Sequence, residues 1–156
     1  MLKKASSLFL RDRPVSNETC LIQNRKVINK YIQRIGRQAN LDLSLDSHGF
    51  CYIPFKKFLI IIQVPEDQAS ILYFYTMIFD LHSSQHNKKV QKRVAALQLA
   101  DLSLGKRGST LSLDGDEVNL SFSVPIQGLK FSEMLDCLED FMETAMDTNY
   151  KLCAVR

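Results

Sequence analysis

Ser70-Ile-Leu-Tyr-Phe-Tyr-Thr-Met-Ile-Phe-Asp-Leu81 is the stretch whose reading decides the fold. It is dense in the β-branched and aromatic residues that suit a pleated surface, so it reads as a long strand. Working back from it, Pro65-Glu-Asp-Gln68 is a turn, and residues 58–64 form an almost wholly apolar strand expected to be covered on both faces. Phe50-Cys-Tyr-Ile53 runs into Pro54, which has no N–H to give a ladder and confines that segment to an edge or an end. Ser47-His-Gly49 is a further turn. Before it, Leu43 and Leu45 alternate with Asp42, Ser44 and Asp46 in the manner of a half-buried strand. The short connections favour an antiparallel meander.

Working forward, residues 82–87 read as a polar linker and 88–102 as a helix, with Val90, Val94, Leu97 and Leu102 as its apolar stripe. Lys88, Lys89, Lys92 and Arg93 load the first turns of that helix with positive charge, against its dipole, which hints at an external reason for a basic patch. Residues 105–108 form a glycine-containing turn and 110–113 a short strand. Asp114-Gly115-Asp116 is a hairpin turn. From Glu117 to Pro125 the pattern alternates, with Val118, Leu120, Phe122 and Val124 on one side and Asn119, Ser121 and Ser123 on the other. That second side is expected to meet water or a partner. A closing helix over 132–146 sets Met134, Leu135, Leu138, Phe141, Met142 and Ala145 against an acidic face of Glu133, Asp136, Glu139, Asp140, Glu143 and Asp147.

Ahead of the strands, Ile28, Tyr31, Ile32, Ile35 and Ala39 recur at helical spacing, predicting a helix over 24–39 capped by Asn24. Residues 1–23 read as a loosely held extension, in which Pro14 and Ser16-Asn17 break any short helix begun at 7–11. The expected organisation is that extension, an α+β domain over 24–148 and a tail over 149–156 that frays from residue 151. The element order is α-β-β-β-α-β-β-α. Helices do not alternate with single strands, so the fold class is α+β, an antiparallel twisted sheet with helices packed on it, and not a doubly wound parallel sheet.

A chain of 156 residues suits one domain. With 46% hydrophobic and 24% charged residues it has ordinary globular composition, and the net charge of +3 permits an acidic partner without demanding nucleic acid. No stretch approaches the roughly 20 apolar residues of a membrane span, and the basic start at Lys3 and Lys4 is followed by too short an apolar run for a signal peptide. Cys20, Cys51, Cys137 and Cys153 are scattered, without a C-x-x-C pair, and read as free thiols of a reducing compartment.

Chemistry is hard to find. There is no phosphate-binding glycine loop and no nucleophile elbow. Gly105 and Gly108 enclose Lys106 and Arg107 in a pattern too short for a P-loop. His82 and His86 have i, i+4 spacing but lie in a linker with no third ligand, and His48 has no triad partners. Asp114, Asp116 and Glu117 imitate the start of an EF-hand loop without the rest of its ligands. No cofactor or metal is expected, and no acid, base and nucleophile set can be named, so the chain reads as a non-enzyme. The basic helix face carrying Lys26, Lys30 and Arg34 supports an alternative, a small basic nucleic-acid-binding domain. Against it, the aromatics cluster in apolar strands instead of interleaving with the basic residues.

The segment from Leu97 to Ala145 carries a resemblance. A basic-to-alanine helix ends in Leu104-Gly-Lys-Arg-Gly108; a Leu-x-Leu strand and an acidic turn follow; then come Val118-Asn-Leu-Ser-Phe-Ser-Val-Pro125 and Leu135, Leu138, Phe141 and Ala145 on the closing helix. In these motifs and in its element order the chain resembles the class I type III secretion chaperones, the family of the Tir chaperone, over residues 27–146. The resemblance implies a homodimer in a bacterial cytoplasm that wraps the N-terminal segment of a secreted effector in extended form, keeping it soluble and secretion-competent, with the secretion ATPase as a further partner. It implies an effector-binding groove from helix 1 and the adjacent strands, with Ile28, Tyr31, Ile32, Ile35, Phe50, Tyr52 and Phe55 as candidates, and strand addition at the sheet edge. It also implies a dimer interface through helix 2 and its neighbouring strand, at Val94, Leu97, Leu102, Leu111 and Leu113.

Overall fold

The structure, a computed structural model, describes residues 17–155. Its elements run α1 (Asn17–Ala39), β1 (Phe50–Phe55), β2 (Phe58–Gln63), β3 (Ile71–Asp80), α2 (His86–Ala100), β4 (Thr110–Asp114), β5 (Glu117–Pro125) and α3 (Phe131–Cys153). The expected order holds. The five strands form one sheet in the order β1-β2-β3-β5-β4, and every neighbouring pair is antiparallel. β3 is the central strand, as its composition demands, and the Pro54-bearing β1 is an edge.

Alternation along β3 divides the molecule. Leu72, Phe74, Thr76 and Ile78 are buried on one face. Ile28, Ile32 and Ile35 of α1 and Met134, Leu138, Phe141 and Ala145 of α3 join them in a single core. The Phe74 ring lies 5.9 Å from those of Phe122 and Phe141, an offset spacing that aromatic pairs favour. Each such side chain contributes about 1.5–3 kcal/mol on leaving water. Among the described residues, no helix packs on the opposite face of the sheet.

Five expectations are corrected. Helix α1 begins at Asn17, so residues 17–23 are helical and not part of an extension. Asn24 is interior to the helix, where its Nδ2 donates to the carbonyl of Ala69 at 2.8 Å and ties the helix to the β2–β3 turn. The remaining residues of the expected extension, including the helix start at 7–11, lie outside the described residues. Second, residues 43–46 are not a strand. The Leu41 N–H bonds the Gly36 carbonyl and the Leu45 N–H bonds Asn29 Oδ1, so helix α1 satisfies this backbone, while Leu43 is buried beneath it.

Third, α3 continues to Cys153, so residues 149–153 of the expected tail are its last turn and more. Leu152 is fully buried and Thr148 and Asn149 are buried beside it, and it was those inward-facing polar residues that broke the apolar periodicity. Fourth, β2 is covered on one face only, since Leu59 is exposed and Ile61 is partly so. The linker expected over 82–87 is also shorter: a turn at Leu81–Ser83, in which Asp80 accepts the His82 N–H, leads directly to α2 at His86.

Candidate peptide-binding face

The uncovered face of the sheet follows from register. Tyr52 pairs with Ile61, Ile61 with Tyr75, and Tyr75 with Ser121, which pairs in turn with Thr110. One row over, Phe50 pairs with Gln63, Gln63 with Tyr73, and Tyr73 with Ser123. Side chains in a row point the same way, so the face has two halves. The β1–β3 half is aromatic and aliphatic: Phe50, Tyr52, Leu59, Ile61, Tyr73, Tyr75 and Met77. The β5–β4 half is hydroxyl and amide: Asn119, Ser121, Ser123, Thr110 and Ser112. The Thr110 and Ser121 hydroxyls lie 3.2 Å apart. The polar side of β5, expected from sequence to meet water or a partner, is this second half.

The apolar half is accessible. Tyr52, Leu59 and Met77 keep 49%, 49% and 48% of their surface in water. Phe50 and Tyr52 stack at 6.2 Å with planes 16° apart. Desolvation raises the Tyr75 phenol above its ordinary pKa. An apolar surface of this kind, left uncovered in the monomer, marks a place where another chain binds.

The edge beside it is largely blunted. An antiparallel ladder turns alternate residues toward and away from the partner strand. Pro54, with no N–H, belongs to the outward set, and Phe50 and Tyr52 share its parity. Phe50 is already engaged, its N–H with Asp46 Oδ1 and its carbonyl with the Asp46 N–H. Tyr52 is therefore the β1 position at which an added strand can pair, and contact along this face falls mainly to side chains.

The seven groove candidates divide accordingly. Phe50 and Tyr52 lie on the open face. Phe55 is partly buried on the opposite side of β1. Ile28 and Ile32 have no exposed surface and Ile35 almost none, so they fasten α1 to the sheet and present nothing to a cargo. Tyr31 is half-buried; its hydroxyl donates to the Leu129 carbonyl at 3.0 Å and its ring meets Phe131 edge-on. Leu59, Ile61, Tyr73, Tyr75 and Met77 also lie on the open face and were not among the candidates. The signal was present, since each alternates with a core residue in strands whose other face α1 and α3 cover.

On α2 the apolar stripe faces outward. Val90, Val94, Leu97 and the following Leu102 are 56%, 50%, 52% and 54% exposed, while Ala96 is buried and brings the helix close to β4. Leu111 is buried and Leu113 partly so, directly beneath. The basic patch beside them has an internal explanation. Lys89 Nζ lies 2.7 Å and Arg93 Nη1 3.5 Å from the Asp116 carboxylate at the β4–β5 turn, and Lys92 Nζ sits 4.6 Å from the centre of the Phe79 ring.

The remaining motifs are also absorbed by the fold. The Lys106 and Arg107 N–H groups bond the Asp140 carboxylate at 3.0 and 3.1 Å, so that glycine-flanked turn holds an anion of its own chain. His82 lies 3.7 Å from Asp116, which the two bases already engage. Among the described residues no group of three or more His, Cys, Asp or Glu side chains is placed to hold a metal, and no helix is long and apolar enough to cross a membrane. All four thiols are free, and burial pushes Cys51 up to about 11. On the basic face of α1, Arg25 bonds the Val64 and His48 carbonyls and Arg34 stacks 4.0 Å over Phe131, leaving Lys26 and Lys30 in solvent. Residues 1–16 hold four of the twenty bases (Lys3, Lys4, Arg11, Arg13) and one of the seventeen acids (Asp12), so the other 140 residues carry sixteen of each. The described fold thus has no positive surplus for a phosphate backbone, whose binding draws on such charge.

A sheet with helices on one face, an apolar open face on the other and an outward apolar helix defines a protein-binding α+β domain. The chain belongs to the Tir chaperone protein (CesT) family, which its residues 30–149 match. Among curated proteins, none matches the sequence significantly. Chains of three experimental structures share the fold. The HopA1–SchA chaperone–effector complex gives a TM-score of 0.59 at 15% identity, covering 83% of this chain and 97% of that one. The ExsC–ExsE complex gives 0.60 at 12%, covering 84% and 95%. The ExoT–SpcS complex from Pseudomonas aeruginosa gives 0.52 at 14%, covering 77% and 95%.

Proposed function

We propose that this protein is a type III secretion chaperone that holds the N-terminal segment of a secreted effector in extended form. The observation that carries the reading is the accessible apolar half of the open face, in a chain of the Tir chaperone family whose fold recurs in chaperone–effector complexes. An extended segment offers alternate side chains to such a face, and covering Tyr52, Leu59, Ile61, Tyr73, Tyr75 and Met77 would also protect the effector's own apolar residues from aggregation. The protein works without catalysis, in the bacterial cytoplasm. Two copies associate about a two-fold axis through Val90, Val94, Leu97 and Leu102 of each α2, with Leu111 and Leu113 supporting the helix from below. An isologous contact of this kind is self-complementary and closed.

The test is genetic and biochemical together. Deleting the gene should abolish secretion of one dominant effector and lower its cellular level. The purified protein should bind the N-terminal segment of that effector with two chaperone chains per segment, and the segment should be proteolysed rapidly when alone. Normal secretion of every effector in the deletion strain would exclude this function.

A further inference from the structure

One cavity on the open face differs in character from its surroundings. It measures about 420 Å³ and lies where the β2–β3 turn meets the sheet, lined by Pro65, Asp67, Gln68, Tyr73, Tyr75 and Ser121 among others. Its lining includes one carboxylate and no lysine or arginine. Tyr73 and Tyr75 are i, i+2 neighbours on one face of β3, so both phenol rings border the same space. The Tyr73 hydroxyl donates to Gln68 Oε1, which fixes that ring and that amide. What remains facing the cavity is aromatic surface, the Asp67 carboxylate, the Ser121 hydroxyl and the amides of Gln63 and Gln68.

We propose that this cavity is a subsite for an arginine side chain of the bound segment. A guanidinium is a planar, weakly hydrated cation with five donors, and it stacks on aromatic rings while its edge bonds carboxylates. The two rings and Asp67 supply those two kinds of contact. The apolar row continues from Tyr75 through Ile61 to Tyr52, about 10 Å away across two strand spacings. At about 3.3 Å per extended residue, with alternate side chains facing the sheet, a segment with arginine in the cavity lays the residues two and four positions further on against that row. The subsite therefore selects cargo by one basic residue set at a fixed interval from an apolar one. This inference rests on the chaperone reading and names the chemistry of its ligand.

The test uses two fluorescein-labelled nine-residue peptides, each with isoleucines alternating with serines, preceded by either arginine or its neutral isostere citrulline. Binding to the full-length protein is followed by fluorescence anisotropy at low salt. The arginine peptide should bind about tenfold more tightly, the combined size of one cation–π contact and one partly exposed ion pair. The exposed-site variant Asp67→Asn should bring that ratio to threefold or less while leaving citrulline-peptide affinity and the urea midpoint unchanged. Equal affinities for the wild type, no binding of either peptide, or an unchanged ratio in Asp67→Asn would each overturn the subsite. Effector co-purification on the same wild-type preparation separates the two claims. Effector retained with equal peptide affinities removes the subsite alone, and effector not retained removes the chaperone reading itself.

Discussion

Asn149, near the C-terminal end of α3, donates a buried 2.8 Å hydrogen bond from Nδ2 to the carbonyl of Ile78. Ile78 occupies the point where the β3–β5 register slips between Met77 and Phe79. A bulge leaves its extra residue out of the ladder, and here a side chain on the packed helix takes up the released carbonyl. Replacing Asn149 with leucine should cost about 1–3 kcal/mol, the penalty of a buried acceptor left without a donor. Urea unfolding is expected to show a lower midpoint with an unchanged slope. An unaltered midpoint would mean that the bulge tolerates an open carbonyl.

Core and contact residues on neighbouring elements should separate cleanly under mutation. Ile32→Ala removes a fully buried side chain between α1 and the sheet and should lose about 2–5 kcal/mol of stability. Tyr52→Ser with Met77→Ser alters two half-exposed positions on the open face. It should leave stability within about 1 kcal/mol, the usual range for two surface substitutions, yet abolish effector retention. Urea unfolding and co-purification on the same two variants check this. A double serine variant that keeps its effector would move the binding surface elsewhere.

The element order and the edge position of β1 were legible because they rest on strong local signals: Pro54, the alternation from Val118 to Val124, and the aromatic density of β3. The groove was legible only in part, for a physical reason. The apolar stripe of α1 has the same periodicity whether it faces a core or a ligand, and only the third dimension shows that Ile28 and Ile32 are covered by the sheet. The reverse held on α2. Its small alanines were the inward side and its larger Val94 and Leu97 the outward one. The ends of α1 and α3 were missed because Asn24 read as the cap of α1 and the apolar periodicity of α3 lapsed after residue 146, whereas Asn24 and Asn149 each sit inside a helix and spend an amide on a distant carbonyl.

The outward stripe of α2 makes a further prediction. Leu97→Glu places a charge where an apolar side chain is half-exposed in the single chain and would be covered in the proposed dimer. Burying an unpaired carboxylate is strongly unfavourable, so light scattering should show a shift from about 36 kDa, twice the chain mass of 17.9 kDa, to the single chain. Far-UV circular dichroism should be unchanged, because Leu97 lies outside the hydrophobic core. A variant that stays dimeric would place the two-fold axis on another surface.

Asp116 links the β4–β5 turn to α2, and its charge should be visible in the pH dependence of stability. A hydrogen bond from Lys89 holds its carboxyl below the ordinary aspartate range, assisted by the positive charges of Lys89 and Arg93 and working against partial desolvation. A carboxylate depressed in the folded state adds stability above its unfolded pKa of about 3.9, and that stability disappears as pH falls through the lower, folded value. Asp116→Asn keeps an acceptor for Lys89 but removes the charge. The wild type should therefore melt at a higher temperature than the variant at pH 6, and the gap should close progressively as pH falls below about 4. Salt should narrow the same gap at pH 6, since the pair lies within reach of solvent ions. The comparison isolates this carboxylate from the others because only the difference between the two proteins is read. A difference that stays constant from pH 6 to pH 3 would show that the turn is held by the neutral hydrogen bonds alone.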